Sequence, residues 1–500
     1  MSNIRRQSII SSILIYVGFA FGALNTYLFT KEGGFTKEQY GLTGAFMAIG
    51  SIIMSIAGLG MPSYVNKFFP YYKDYLPKKQ NDQATWSLLV SLLGFIFVMI
   101  AGLFMKNVAI RAFDNSPQII QYYYWLFPFG LGLTLFSVME VLAWHHHKSV
   151  LSNFLKEVQF RVFVTILFVL VSVKLISDFD IFIKIYSFLY LFLALLLFLY
   201  LISSGKISIT FSVSKVTRRL FKKILTLCAF IWGGTLVYNL AAVADTIIII
   251  GIFPDGVAMA GLFTFAQYLT SLIQAPQRSI VAASVAHLSQ AWKDKDYEKI
   301  NRIYQRSSIN QLIFSVGMFC LIWLNYNDAI ISFNMQQDYL AAINVFLFMG
   351  LVKIVDMGTG VSGQIIATST YWRFDFTTGI ILLAITLPLT WILTKKLGLV
   401  GPAISNLISF SVYNFIRYLF LLRKFKMQPF TRKSILALLL ALACYGICYF
   451  LFVNNQGIEW MIFRSSLFLV LFGTGTYYLK LTPDMKAVLE TLKNKLLSRK

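Results

Sequence analysis

Several ionisable side chains lie within long apolar stretches of the sequence, where a charge could bind an anion or carry a proton. Glu140 and Asp245 each follow a long uncharged run, and Arg278 interrupts a third. Lys353 and Asp356 are three positions apart in a fourth. A charge at the centre of a membrane helix costs roughly 2.5–3.5 kcal/mol on insertion scales, so it needs a partner, water or a function.

Each of these residues also has a structural interpretation. Lys353 and Asp356 lie on one helix face at positions i and i+3, so they could simply neutralise each other. Glu140 could lie at the membrane interface beside Trp144. Asp245 could bind a proton or a cation, brace an outer gate, or make a helix-end hydrogen bond near the head groups.

Two arginines are candidates for binding an anionic substrate, because a guanidinium group matches phosphate oxygens with two donors at once. They are Arg278 and Arg161. Either could instead extend its charged end to the cytoplasmic interface. Three adjacent histidines start at His145, but they lie in a loop without a second ligand cluster, so we predict no metal site.

The elements that must position these residues are apolar helices. Hydrophobic residues make up 57% of the 500 residues and charged residues only 13%. A helix needs about 20 apolar residues to cross a bilayer. The continuous runs predict an all-α polytopic membrane protein with about fourteen spans: 8–30, 40–61, 85–105, 118–144, 153–174, 182–202, 224–251, 257–286, 309–332, 339–366, 374–394, 400–421, 434–453 and 459–479.

Lys and Arg are concentrated in every second connecting segment, which predicts the orientation. They follow the second, sixth, eighth and twelfth spans and fill the C-terminal tail. Because these residues are retained on the cytoplasmic side, we expect both termini to be cytoplasmic. The same distribution accounts for the net charge of +23, so no nucleic-acid partner is expected; the basic loops contact membrane lipids instead.

The chain also contains a parallel repeat. Asn25-Thr26 and Gly41-Leu42 are separated by the same interval as Asp245-Thr246 and Gly261-Leu262. Because each copy has six spans, both have the same orientation, which is typical of transporters with two rocking halves. The predicted organisation is an N-terminal six-helix lobe (1–202), a basic cytoplasmic linker (203–223), a C-terminal six-helix lobe (224–421), two peripheral spans (434–479) and a basic cytoplasmic tail (480–500).

The stretch 239–276, NLAAVADTIIIIGIFPDGVAMAGLFTFAQYLTSLIQAP, resembles the seventh and eighth spans of the polysaccharide flippases, which move O-antigen and other lipid-linked oligosaccharides. These proteins belong to the multidrug/oligosaccharidyl-lipid/polysaccharide (MOP) exporter superfamily. The stretch 41–70, with GLGMP before a basic loop, similarly resembles their second span. The resemblance implies two six-helix lobes around a central cavity, two peripheral helices, and a monomer in the bacterial cytoplasmic (inner) membrane.

The implied function is transport of a polyprenyl-pyrophosphate-linked oligosaccharide to the outer leaflet by alternating access. No bond is broken, so the protein is not expected to be an enzyme, and H⁺ or Na⁺ would be the coupling ion in place of a cofactor. We expect substrate binding by one set of residues, Arg278, Lys353 and Arg161. We expect ion coupling by another set, Glu140, Asp245 and Asp356.

Other functions remain open. A multidrug and toxin extruder of the same superfamily would be expected to have acids and aromatics in its cavity and usually twelve spans. A lipid II flippase would have fourteen spans, but the cations expected in its first two spans are absent, since 8–30 and 39–66 hold no charge. A membrane polymerase or ligase would need a long external loop, and the predicted outer loops are all short.

Overall fold

The computed structural model describes the backbone of residues 3–176, 178–482 and 484, with the side chains of all of these except 3–13, 279, 282, 283, 286 and 372. Every regular element in this part of the chain is helical, which confirms the predicted all-α class. A π-helical turn spans Phe154–Gln159, and short 3₁₀ turns join some helices. The α-helices are α1 Asn3–Thr30, α2 Lys37–Ala57, α3 Met61–Tyr75, α4 Gln83–Phe104, α5 Lys106–Ala112, α6 Pro117–Gln121, α7 Leu126–His145, α8 Ser149–Asn153, α9 Phe160–Ser172, α10 Phe179–Ser203, α11 Lys215–Ile252, α12 Gly256–Lys293, α13 Tyr297–Ser332, α14 Ile343–Gly358, α15 Ser362–Thr368, α16 Trp372–Leu397, α17 Gly401–Phe425, α18 Arg432–Phe452 and α19 Ile458–Tyr478.

Eleven helical segments among the described residues are long and apolar enough to cross a membrane. One of them, Arg373–Phe425, contains both α16 and α17, and a shorter apolar helix covers Leu14–Thr30. The chain is therefore a multi-pass membrane protein. The number fourteen and the cytoplasmic termini stay predictions, and the basic tail from residue 485 onward lies outside the described residues.

The chain divides into two compact units, Met1–Thr264 and Phe265–Lys500. In the first unit α7 is central and packs against α2, α3, α4 and α10. Its core is aromatic: the fully buried ring of Phe129 stacks on Tyr186 with centroids 5.4 Å apart and meets the edge of Phe46 at 5.8 Å. Such offset and edge-on ring pairs add stability beyond the area that they bury.

The two glycines of the sequence repeat lie against each other in the first unit. A Cβ atom on Gly41 would overlap the carbonyl oxygen of Val257, and one on Gly261 would overlap that of Lys37. In the repeat, Val257 and Gly261 are the equivalents of Lys37 and Gly41, so the two contacts are equivalent. The equivalent segments 37–44 and 257–264 of the sequence repeat therefore contact each other at equivalent positions. The lobe boundaries drawn from the sequence stay predictions.

Polar residues fix where the long helices begin. Thr36 and Gln39 form a reciprocal capping box at the start of α2. Ser214 caps α11 by accepting a hydrogen bond from the backbone nitrogen of Thr217 at 3.1 Å. The second half of the predicted linker, from Lys215, is consequently helical and continuous with the span that follows.

In the second unit α17 packs against α14 and α16, and α13 packs against α14, α18 and α19. Cys320, Cys444 and Cys448 are buried without a disulfide and pack with Phe468 between α13, α18 and α19. These thiols act as small apolar groups. The opposite face of α18 exposes large apolar side chains such as Leu442, which suits contact with lipid.

Candidate functional site: two groups of ionisable residues

In the first unit Glu140 of α7 pairs with a lysine from the π-helical turn. Lys156 Nζ donates to both carboxylate oxygens of Glu140, at 3.2 and 3.1 Å. The Glu140 side chain is only 9% exposed, whereas that of Lys156 is 42% exposed. The carboxylate is therefore desolvated, and its compensating charge comes from a side chain that reaches toward the surface.

Arg161 lies one turn beyond that pair, at the start of α9. Its guanidinium bonds to the Glu157 carboxylate at 2.8 Å and to the Glu157 carbonyl oxygen, and it lies 5.9 Å from the ring centroid of Phe19 on α1. The π-helical turn that carries Glu157 is a wider form of helix, which often occurs at functional sites. The positive charge of Arg161 is thus already matched by a carboxylate.

Asn25 of α1, which the repeat pairs with Asp245, joins α1 to this group. Its side-chain nitrogen donates to the carbonyl oxygen of Arg161 at 2.8 Å, and its oxygen accepts from the Thr165 hydroxyl at 2.6 Å. Asp245 itself lies on α11 and is 3% exposed. The sequence repeat singled out Asn25, although its contact with α9 could not be predicted.

In the second unit Asp356 of α14 lies within a network of neutral polar groups. One carboxylate oxygen accepts from Gln277 of α12 at 2.9 Å, and the other accepts from Asn414 of α17 at 3.4 Å. Thr359 donates to the Asn414 side chain at 3.1 Å. Sequence reasoning missed Gln277 and Asn414, because uncharged amides in an apolar helix give no distinct signal.

Lys353 and Arg278 belong to the same group in the second unit. The half-buried Lys353 interacts electrostatically with Asp356 and with Arg278, which is exposed on α12. No hydrogen bond or ion pair joins Lys353 to Asp356 among the described residues. The group therefore brings two cations near Asp356, whose carboxylate is bonded to the Gln277 and Asn414 amides.

The structure thus brings Arg278, Lys353 and Asp356 together, and it places Glu140 and Arg161 in a separate group of the first unit. Another intramembrane charge was not selected from the sequence: Arg464 of α19, which bonds to Asp328 of α13 at 2.5 Å. Arg464 is an ionisable residue within a predicted span, which is the criterion by which the other candidates were chosen.

The fold is similar to that of solved transporter structures. One is the lipid II flippase MurJ in an inward-closed conformation, with a TM-score of 0.74, 17% sequence identity, and coverage of 95% of this chain and 99% of that chain. A second is an inward-facing multidrug resistance MATE family transporter of the MOP superfamily, with a TM-score of 0.63, 16% identity, and coverage of 83% and 97%.

No family model and no curated protein sequence matches this chain. Identities below 20% show the fold alone, and both structures are of MOP superfamily members. The fold agrees with the one that the sequence resemblance implies, and it decides neither the family nor the substrate. The chain is a multi-pass membrane protein that has the fold of MOP superfamily transporters.

Proposed function

We propose that the protein is a flippase that moves a polyprenyl-pyrophosphate-linked oligosaccharide from the cytoplasmic to the outer leaflet of the bacterial inner membrane. The observation that carries the proposal is the group of Arg278 and Lys353 beside one amide-bonded carboxylate, Asp356. Two neighbouring cations in a membrane protein can bind an anion by charge and by hydrogen bonds. A pyrophosphate carried on a lipid supplies that anion.

The two cations would bind the pyrophosphate in different ways. The planar guanidinium of Arg278 can donate two parallel hydrogen bonds to phosphate oxygens, whereas Lys353 acts as a compact point charge. Arg161 is a weaker candidate for the substrate because Glu157 already neutralises it. The lipid tail can stay in the bilayer during transport, so the protein has to accommodate only the anionic head and the glycan.

Ion coupling would use carboxylates that change partners as the protein alternates between two states. Asp356 bonds only to neutral amide side chains among the described residues, so it could bind H⁺ or Na⁺ without first breaking a salt bridge. Glu140 would have to release Lys156 first. The buried Asp245 is a further candidate. A coupling ion shifts the population of two states only if it binds one of them more tightly.

A lipid II flippase is the second candidate, because the similarity to MurJ extends over 95% of this chain. Residues 14–30 and 39–57 within α1 and α2 carry no charge, which disfavours this candidate because cations are expected in the first two spans of a lipid II flippase. Multidrug extrusion is a third possibility within the same fold, but a cationic drug would be repelled by Arg278 and Lys353.

The deciding experiment is transport by the purified protein in liposomes. We expect a labelled polyprenyl-pyrophosphate oligosaccharide to become accessible to an impermeant quencher, faster under a pH or Na⁺ gradient. Lys353→Gln and Arg278→Gln should each abolish this accessibility to the quencher. Lys396→Gln, which replaces an exposed lysine after the apolar run of α16, should not. Movement of lipid II but not of the oligosaccharide would establish the second candidate. Efflux of ethidium alone would refute a lipid substrate.

A further inference from the structure

An open groove with a volume of about 1420 Å³ lies in the first unit between α3 and the first turns of α11. Lys215, Arg219, Lys222 and Lys223 of α11 line one side at positions i, i+4, i+7 and i+8, which share one helix face. Lys67 of α3 lines the other side. All five are exposed.

The groove is strongly cationic. Its lining contains no Asp or Glu among the described residues, so the five cations repel one another with no carboxylate between them. Their summed field concentrates anions in the groove. An anion that binds there relieves this repulsion. Lysines scattered over a surface repel one another less and would gain less from an anion.

One end of the groove is apolar. Leu227 and Phe230 continue the lining beyond the cations of α11. The exposed rings of Tyr71 and Tyr75 of α3 line the groove nearer its cationic end, where Tyr72 contacts Thr217. A ligand that fits both parts has an anionic head and an apolar body. This amphipathic character distinguishes the groove from a site for a free, fully hydrated anion.

The length of α11 places the groove at the height of the lipid head groups. The helix has 38 residues, or roughly 57 Å at 1.5 Å per residue, whereas the hydrocarbon core is about 30 Å thick. Because the basic turns come first and the apolar turns follow, the cations lie outside the hydrocarbon core. Leu227 and Phe230 lie closer to it.

Contacts at both ends hold the walls of the groove in place. Near one end the Tyr72 hydroxyl lies 2.7 Å from the Thr217 hydroxyl, which donates to the buried Asp82 carboxylate at 2.8 Å. Near the other end, Gly60 is in the left-handed region at φ 74°, and a Cβ atom there would lie 2.7 Å from the carbonyl oxygen of Cys228. Only glycine allows so close a contact between the two backbones.

We propose that this groove binds the phosphate-bearing head group of an anionic bilayer phospholipid. Clusters of basic residues next to a membrane helix bind anionic head groups, and each Lys or Arg contributes to the affinity. Here the cations line a preformed groove with an apolar end, so the lipid would be held at a defined position. The inference does not depend on which molecule the protein transports.

The test measures binding of fluorescent phosphatidylglycerol to the full-length protein in phosphatidylcholine nanodiscs. The variant R219Q/K222Q/K223Q should bind at least roughly tenfold more weakly than the original protein. The matched control R423Q/K426Q/R432Q removes three exposed cations from another predicted cytoplasmic segment and should change binding by less than about twofold. Equal thermal unfolding midpoints would show that both variants fold.

Competition identifies the source of the phosphate. Unlabelled phosphatidylglycerol should displace the probe, whereas inorganic pyrophosphate at similar concentration should not. Equal losses in the two triple variants, or no preference for phosphatidylglycerol over phosphatidylcholine, would overturn the proposal. So would displacement by polyprenyl pyrophosphate in preference to phosphatidylglycerol, since the groove would then bind the lipid carrier instead of a bilayer phospholipid.

Discussion

Gly41 of α2 and Gly261 of α12 form a symmetric backbone contact: a Cβ atom on Gly41 would lie 2.7 Å from the Gly261 nitrogen, and one on Gly261 would lie 3.1 Å from the Gly41 nitrogen. Small residues at such crossings allow membrane helices to approach closely. The neighbouring atoms are backbone atoms, which cannot move aside by changing a rotamer.

We therefore expect Gly41→Ala and Gly261→Ala each to lower the free energy of unfolding by about 1–3 kcal/mol through overpacking. Because both residues contribute to one contact, the double variant should lose less than the sum of the two single losses. Chemical unfolding in detergent measures this. Gly446→Ala in α18 is the control, since a Cβ atom there meets nothing within 4 Å; strict additivity would contradict the shared contact.

The pairing of Glu140 with Lys156 predicts unequal effects of removing either partner. Lys156→Met leaves a carboxylate that is only 9% exposed without its partner, and an unpaired buried acceptor costs about 1–3 kcal/mol or more. Glu140→Gln leaves Lys156, which is 42% exposed, free to reach water. We expect the lysine variant to have the lower unfolding midpoint, and the reverse order would show that the pair does not stabilise the fold in this way.

His146 at the end of α7 predicts a pH dependence of stability. Burial, followed by nearby Lys206, lowers the pKa of His146 from 6.5 to about 4. Between these two pH values the unfolded chain binds more protons than the folded protein. The contribution of neutral His146 to stability is therefore complete above pH 6.5 and is lost as the pH falls toward 4. The unfolding midpoint should fall across this window.

His146→Gln should flatten that slope, because glutamine does not titrate. The slope should persist at high salt, since burial is its main cause and salt screens chiefly exposed charges. A slope that is unchanged in His146→Gln would assign the effect to another group.

The sequence predicts the membrane fold well because each span carries its own signal in its apolar composition. The repeat predicts that Gly41 and Gly261 are equivalent, but not that they touch, since the contact depends on how the helices cross. Arg464 could have been selected as an intramembrane charge. Its partner Asp328 lies 136 residues away, and only tertiary structure brings the two together.

The amide partners of Asp356 explain why that carboxylate can be tested by itself. Asp356→Asn keeps an oxygen that can accept from Gln277 or Asn414, so the variant should fold and insert normally. It removes the charge, however, and we expect it to abolish transport of the labelled lipid-linked oligosaccharide. Lys353→Ala should also abolish transport, because it removes a cation proposed to bind the pyrophosphate.

The double variant Lys353→Gln/Asp356→Asn separates a transport role from a structural one. If the two residues served only to neutralise each other, replacing both would restore the transport that either single change impairs. Because no direct hydrogen bond or ion pair joins them among the described residues, we expect the double variant to stay inactive. Lys396→Gln is the control for loss of a positive charge. Full transport by the double variant would exclude this pair and shift the coupling role to Glu140 or Asp245.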